Sequence, residues 1–260
     1  MVEVPNLSLN DGRTIPQFGL GVWQVPNNVV TDAVLAALEA GYRSVDTAAL
    51  YRNEEGVGTA IARSGVPREE LFVTTKLRGN NLGYDQAMRG IDESLGKLGL
   101  DYVDLYLIHW PGGSTNTYVE TWKAFEQIKA DGRARSIGVS NFDISNLRHL
   151  FDATETVPAV NQVELNPDRP EEQLREFHAE HGIVTESYSP LAVGRLVRDR
   201  MAAEIAERYD RSPVQVLLRW NLQLGNRVIP KSVTPERIRA NIQVFDFELS
   251  QEDMDLLSSR

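Results

Sequence analysis

The feature that most restricts the fold is a repeat of pattern along the whole chain. Short apolar runs alternate with helix-like stretches. The runs lie at 19–23, 44–46, 71–75, 103–108, 136–139, 159–163, 183–187 and 227–229. Most are apolar throughout, as expected of strands buried on both faces. Helical segments are predicted over 28–40, 53–64, 84–98, 117–131, 143–152, 171–181, 199–209 with 212–224, and 234–243. Asp143 precedes one of them, and Pro170 with Glu171 and Glu172 opens another. A last helix near 250–257 starts at Ser250. Ahead of the first unit, 7–9 and 14–16 flank Asn10-Asp11-Gly12, a hairpin turn. Eight β-then-α units spaced about 30 residues apart make a parallel sheet. The class is therefore α/β. A (β/α)8 TIM barrel with an N-terminal β-hairpin fits best, because it leaves no exposed edge. A doubly wound open sheet is the alternative. The length of 260 residues suits one barrel. With no linker or low-complexity tract, residues 1–260 are expected to form a single domain.

Composition narrows the function classes. The chain has no cysteine, which excludes disulfides, thiolate metal sites and a cysteine nucleophile. That suits a cytoplasmic protein. Residues 1–5 show no basic region leading into an apolar run, so no signal peptide is expected. No apolar stretch approaches the ~18 residues of a membrane span. The net charge of −10 argues against a nucleic-acid partner, while leaving room for one local basic pocket.

In barrel enzymes the chemistry sits at the C-terminal ends of the strands. There the second strand runs into Asp46, with Tyr51 five residues on. The third runs into Lys76 and the fourth into His109. Each residue alone has a structural explanation: a capping aspartate, a solvated lysine, a core histidine. Their convergence on one rim points to chemistry. A tyrosine is a reluctant proton donor at its ordinary pKa of ~10. A neighbouring ammonium is expected to lower that value by ~2–3 units, worth roughly 3–4 kcal/mol. An aspartate beside the lysine would keep it charged and in place. A histidine can orient a carbonyl oxygen. The set suits carbonyl reduction, with the reducing equivalent supplied from outside the chain.

No GxGxxG, Walker A or HExxH motif occurs. Gly19-Leu20-Gly21 and Gly56-Val57-Gly58 both lack the third glycine. His178 and His181 beside Glu180 resemble a metal face but are expected to be a solvated helix end, so no metal is assigned. After the eighth strand, Thr234 is the expected N-cap, with Pro235 at the first helical position. Arg237 then lies in the first turn, where a cation opposes the helix dipole unless an anion is held there. Lys231, Ser232 and Arg237 are thus candidates for a phosphate pocket where barrels commonly bind phosphate. An ordinary exposed basic helix start is the alternative.

At these residues the sequence resembles the aldo-keto reductase superfamily, nearest to bacterial members of the 2,5-diketo-D-gluconate reductase type. The likeness is carried by Gly41-Tyr42-Arg43-Ser44-Val45-Asp46-Thr47-Ala48 with Tyr51, and by Asn53-Glu54-Glu55-Gly56-Val57-Gly58. Thr75-Lys76, Leu107-Ile108-His109-Trp110-Pro111, Ser136-Ile137-Gly138-Val139-Ser140-Asn141-Phe142, Val160-Asn161-Gln162-Val163-Glu164 and 229–241 complete it. The resemblance implies an NADPH-dependent reductase of aldehydes and ketones: small carbonyls, α-diketones or keto sugars. It assigns Tyr51 as general acid, Lys76 and Asp46 as its tuning pair, and His109 as carbonyl orienter. It implies that Gly21, Ser140, Asn141, Gln162 and Tyr188 face the nicotinamide half of NADPH/NADP+. Lys231, Ser232, Val233, Arg237 and Asn241 would hold the adenosine 2′-phosphate end. Trp23 and Trp110 would line the substrate pocket, and a monomer is expected.

Departures from the family pattern set further expectations. Arg78 stands where many relatives carry tryptophan, so it either lines the pocket and favours anionic substrates or is a solvated loop residue. Ala240 replaces a glutamate common before the last adenosine-binding asparagine. The loop after Tyr188 is short, and relatives' tail across the barrel mouth has no counterpart up to Arg260, which predicts an open pocket and broad substrate use. A non-catalytic NADPH-binding barrel is the alternative of a different class.

Overall fold

The computed structural model describes residues 2–79, 81–112 and 115–260. Met1, Asn80, Gly113 and Ser114 of the expected 1–260 unit lie outside the described residues. The chain opens with the expected hairpin, β1 (Asn6–Ser8) against β2 (Thr14–Pro16), with Leu7 opposite Ile15. Eight parallel strands follow: β3 (Leu20–Gly21), β4 (Ser44–Asp46), β5 (Phe72–Leu77), β6 (Val103–Ile108), β7 (Ala134–Ser140), β8 (Val160–Glu164), β9 (Val184–Tyr188) and β10 (Arg227–Val228). Each is bonded to its neighbours in chain order, from β3 to β10. The two edges then meet. Phe18 bridges Val228, Gly21 bridges Lys231, and the Gly19 and Gly21 amides donate to the carbonyls of Val228 and Pro230. The sheet is thus curled with its first and last strands joined, and no open doubly wound sheet forms. Gly21 is needed for this junction, since a Cβ there would lie 2.6 Å from the Ile229 carbonyl oxygen.

The helices are α1 (Asn27–Glu39), α2 (Glu54–Arg63), α3 (Tyr84–Leu98), α4 (Thr115–Ala130), α5 (Ile144–Ala153), α6 (Glu172–Glu180), α7 (Arg200–Arg208), α8 (Pro213–Gln223), α9 (Pro235–Asn241) and α10 (Gln251–Ser258). Their ends follow local chemistry. Asp143 caps α5 through a reciprocal pair with Asn146, and Ser212 caps α8 in the same way with Gln215. Ser250 accepts from the Asp253 amide at the start of α10. Gly99 ends α3 in the left-handed conformation that a Cβ disfavours. Two local expectations are corrected. Glu171 sits left-handed ahead of α6 instead of forming its first turn. Thr234 stands at the N-cap of α9 but makes no side-chain cap; its own amide donates to Ser232 Oγ. A 3₁₀ segment, Ala192–Arg198, was not foreseen, and Val193 and Gly194 break it with positive φ.

Alternate residues of each strand face opposite sides. One set, including Val45, Val73, Leu77, Tyr106 and Ile108, packs under the helices in the main core. The other set points into the curl. At its lower end Phe72, Leu105, Leu107 and Val160 form a separate small cluster with Leu9 and Ile15 of the hairpin segment, which covers that end. Above this plug the interior is lined by charged and polar side chains. Among the described residues no helix is long and apolar enough to cross a membrane.

Candidate active site

Three adjacent strands deliver the titratable residues. Asp46 ends β4, His109 follows β6 directly, and Lys76 is the penultimate residue of β5, which runs two residues beyond its predicted end. Tyr51 closes a 3₁₀ turn, Ala49–Tyr51, after β4. Thr47 beside it donates to Asn53, whose amide in turn donates to the carbonyls of Val22 and Val25, so the loop is tied to the β3 side. The Lys76 ammonium is wholly buried, not solvated. Its three donors go to Asp46 Oδ1 at 2.5 Å, the Thr47 carbonyl at 3.0 Å and Tyr51 Oη at 3.3 Å. The His109 ring meets the Tyr51 ring edge to face, with centroids 5.7 Å apart. The four predicted residues are therefore in one place.

Electrostatics refines their roles. Burial pushes the Lys76 pKa down, but the charges of Asp46 and Tyr51 outweigh it and the net shift is upward, so the ammonium is kept. Burial raises the Tyr51 pKa. Lys76 pulls it down and Asp46 pushes it up again, leaving it above the ordinary phenol value. The expected lowering of the tyrosine pKa is thus reversed, because burial outweighs the ammonium's field and Asp46 opposes that field further. At neutral pH Tyr51 is a protonated donor held beside a cation that would stabilise its anion. Burial, and then the Lys76 charge, lowers the His109 pKa to about 3, so the ring is neutral. Its Nδ1 is buried without a partner among the described residues.

The remaining predicted residues surround this centre. Ser140 and Asn141 follow one another at the end of β7. Asn141 is left-handed (φ 62°); its amide donates to the His109 carbonyl and to Ser140 Oγ and accepts from Tyr188 Oη at 2.8 Å. Ser140 Oγ donates to the Gln162 carbonyl. Trp23 and Trp110 stand on the same rim, 44 % and 49 % exposed, and Arg78 is half-buried in the loop after β5. Ser232 and Asn241 are buried, while Lys231, Val233 and Arg237 are exposed. Among the described residues neither Lys231 nor Arg237 forms an ion pair. His178 corrects its sequence reading: it is fully buried, bonded to Thr185 and Asn161, and is not a solvated helix end.

Sequence reasoning missed the lower half of the interior. Arg227 (β10) and Glu186 (β9) are both wholly buried and ion-paired. Arg227 also donates to Ser44 Oγ at 2.5 Å and to the Pro16 carbonyl at 2.8 Å. Gly19 makes room for it, since a Cβ would lie 2.8 Å from the guanidinium. The Gln162 amide nitrogen donates to Glu186 and, at 2.8 Å, to Asp46 Oδ2. The available signal was a lone glutamate and a lone arginine inside strands meant to be buried on both faces.

A curled parallel sheet carries a buried aspartate–lysine–tyrosine chain at its strand ends. The aldo/keto reductase family profile matches residues 16–259, and the chain belongs to that family, whose members are oxidoreductases. It is 54 % identical over 255 residues to an aldo-keto reductase of Mycolicibacterium smegmatis, covering 98 % of this chain and 93 % of that one. The crystal structure of an aldo/keto reductase from Brucella melitensis superposes with a TM-score of 0.96 at 49 % identity, covering 99 % of both chains. A Bombyx mori aldo-keto reductase, solved in complex with NADP, superposes at 0.93 with 39 % identity over 100 % of this chain and 93 % of its own.

Proposed function

We propose that the chain is a single-domain (β/α)8 barrel that reduces aldehydes and ketones to alcohols with NADPH, Tyr51 giving the proton. One observation carries the reading: Tyr51 Oη, protonated and half-buried, lies 3.3 Å from a buried ammonium that Asp46 keeps charged. The bound coenzyme would supply the hydride. Two features fit NADPH. The Gln162 amide nitrogen is used by two carboxylates, so its oxygen is left as an acceptor for a carboxamide N–H. Lys231 and Arg237 offer two cations without anionic partners among the described residues around buried Ser232, suited to a phosphate monoester. Gly21, Ser140, Asn141 and Tyr188 would frame the nicotinamide, and Val233 and Asn241 the adenosine end.

The residues then divide the work. His109, held neutral, can donate an N–H to the carbonyl oxygen without exchanging its proton. Tyr51 Oη donates the proton to that oxygen. The phenolate left behind is stabilised by Lys76, which Asp46 keeps charged. Trp23 and Trp110 offer exposed aromatic walls, and Arg78 a cation for polar or anionic substrates. Substrates of the small-carbonyl, α-diketone and keto-sugar classes are the ones proposed.

The test is a kinetic panel of these carbonyls with NADPH and NADH, read by loss of the reduced coenzyme's absorbance. Turnover with NADPH, lost in Tyr51→Phe with coenzyme affinity retained, is expected. Tight NADPH binding without turnover across the panel would leave a binding module instead, and wild-type turnover in Tyr51→Phe would remove the proton assignment.

A further inference from the structure

The buried pair below the catalytic rim has no part in the proton chemistry, yet it touches that chemistry through one side chain. Both N–H groups of the Gln162 amide face carboxylates, Asp46 Oδ2 on one side and Glu186 Oε1 on the other. A carboxylate only accepts, so the amide nitrogen has to point down into the barrel and the amide oxygen has to point away. Glu186 is in turn fixed from behind. Its second oxygen is paired with Arg227, which is anchored to Ser44 and to the Pro16 carbonyl. Register makes this possible: Glu186 lies directly opposite Gln162 on β8 and directly opposite Arg227 on β10.

We propose that Glu186, backed by Arg227, is a positioning residue that fixes the sense of the Gln162 amide, and through it both the donor to Asp46 and the acceptor offered to the coenzyme. The coenzyme side of the proposal rests on the NADPH reading given above. The ion pair is needed because a glutamate carries two acceptors, one for each neighbour. An uncharged amide at the same place has one oxygen and one NH₂. The guanidinium would claim the oxygen, since charge-assisted bonds are the stronger. The NH₂ would then face Gln162 donor to donor and force it over, setting its oxygen against Asp46 and an N–H toward the ligand.

That competition allows a rescue that packing alone would not give. In Glu186→Gln, NADPH binding is expected to weaken about tenfold or more, near the effect of one mispaired polar group. Adding Arg227→Met removes the competitor, so the new amide's oxygen can turn to Gln162. The double variant should bind within about threefold of wild type. Glu186→Leu with Arg227→Met is equally free of buried charge but offers no acceptor, and should stay about tenfold or more weaker. Coenzyme affinity is measured by fluorescence titration, with thermal unfolding alongside. Side-chain amide exchange by NMR supplies a readout on protein without coenzyme. Both Gln162 Hε2 protons should be protected in wild type and in Glu186→Gln/Arg227→Met, and only one in Glu186→Leu/Arg227→Met. If Glu186→Gln alone does not fold, the two double variants decide. Equal affinity and equal amide protection in the two doubles would overturn the proposal. The expected exchange pattern in a protein that neither binds NADPH nor reduces carbonyls would uphold the positioning of Gln162 and overturn the coenzyme reading.

Discussion

Acid separates the neutral histidine of this site from an ordinary one. The His109 ring is 7 % exposed, and burial followed by the Lys76 charge holds its pKa at about 3. In the unfolded chain it titrates near its ordinary value of about 6.5. The folded value is the lower one, so the stability it contributes is fully present above pH 6.5. That stability is lost as pH falls toward 3, because the unfolded chain takes up the proton first. By pH 4 the loss from this residue reaches ~3 kcal/mol, at about 1.4 kcal/mol per pH unit. His178, lowered to about 4 by burial and then by His181, loses stability in the same direction. Replacing His109 with glutamine removes its share while leaving that of His178. Urea unfolding of both proteins at pH 7 and pH 4 measures it. Whatever stability His109→Gln has relative to wild type at pH 7, that difference should move by ~3 kcal/mol in the variant's favour at pH 4. A change below about 1 kcal/mol would show that the folded protein binds a proton there, and the neutral carbonyl-orienting role would go with it. By the same reasoning kcat/KM for carbonyl reduction should show no inflection near pH 6.5.

Lys76→Met leaves Asp46 buried without its ammonium. It should cost about 3–5 kcal/mol in urea unfolding and remove most turnover; a stability within 1 kcal/mol of wild type would contradict the burial of that pair. Lys231→Ala with Arg237→Ala changes two exposed side chains, so unfolding should be unaffected. NADPH affinity should fall toward that for NADH, and an unchanged coenzyme preference would move the phosphate pocket elsewhere. Gly19→Ala places a methyl 2.8 Å from the Arg227 guanidinium. It is expected to lower stability by about 1–3 kcal/mol, and a neutral result would mean that Arg227 can shift.

The strands were legible because a strand buried on both faces must be apolar along its length, and eight such runs stood out against polar surroundings. The tetrad was legible for the converse reason. Asp46, Lys76 and His109 each interrupt or end an apolar run, and in this architecture all such ends lie on one rim. What stayed hidden depended on partners from distant parts of the chain. Glu186 and Arg227 were single charges in separate strands, and only register pairs them. The direction of the Tyr51 shift needed burial weighed against two opposite charges at known distances. His178 read as solvated because α6 was expected to end in water, whereas its last turn faces Thr185 of β9. The 192–198 segment has no helical period to read, being held by turns with positive φ.

The junction between the first and last strands has a consequence for how the molecule is made. Arg227 bonds to the carbonyl of a residue 211 positions earlier, and Gln17 donates to the carbonyls of Leu222 and Asn226 across 205 and 209 positions. At synthesis rates of about 5–20 residues per second, β10 leaves the ribosome roughly 10–40 s after β3. Until then β3 has no neighbour on its outer side, and the buried Glu186 of β9 has no Arg227 to balance it. The growing chain is therefore an open sheet with a live edge at each end, and such edges invite pairing with other chains. Ring closure comes late and depends on long-range contacts, which form slowly. Yield in a cell should depend on what shields residues 17–23 during that interval more than on the stability of the finished enzyme.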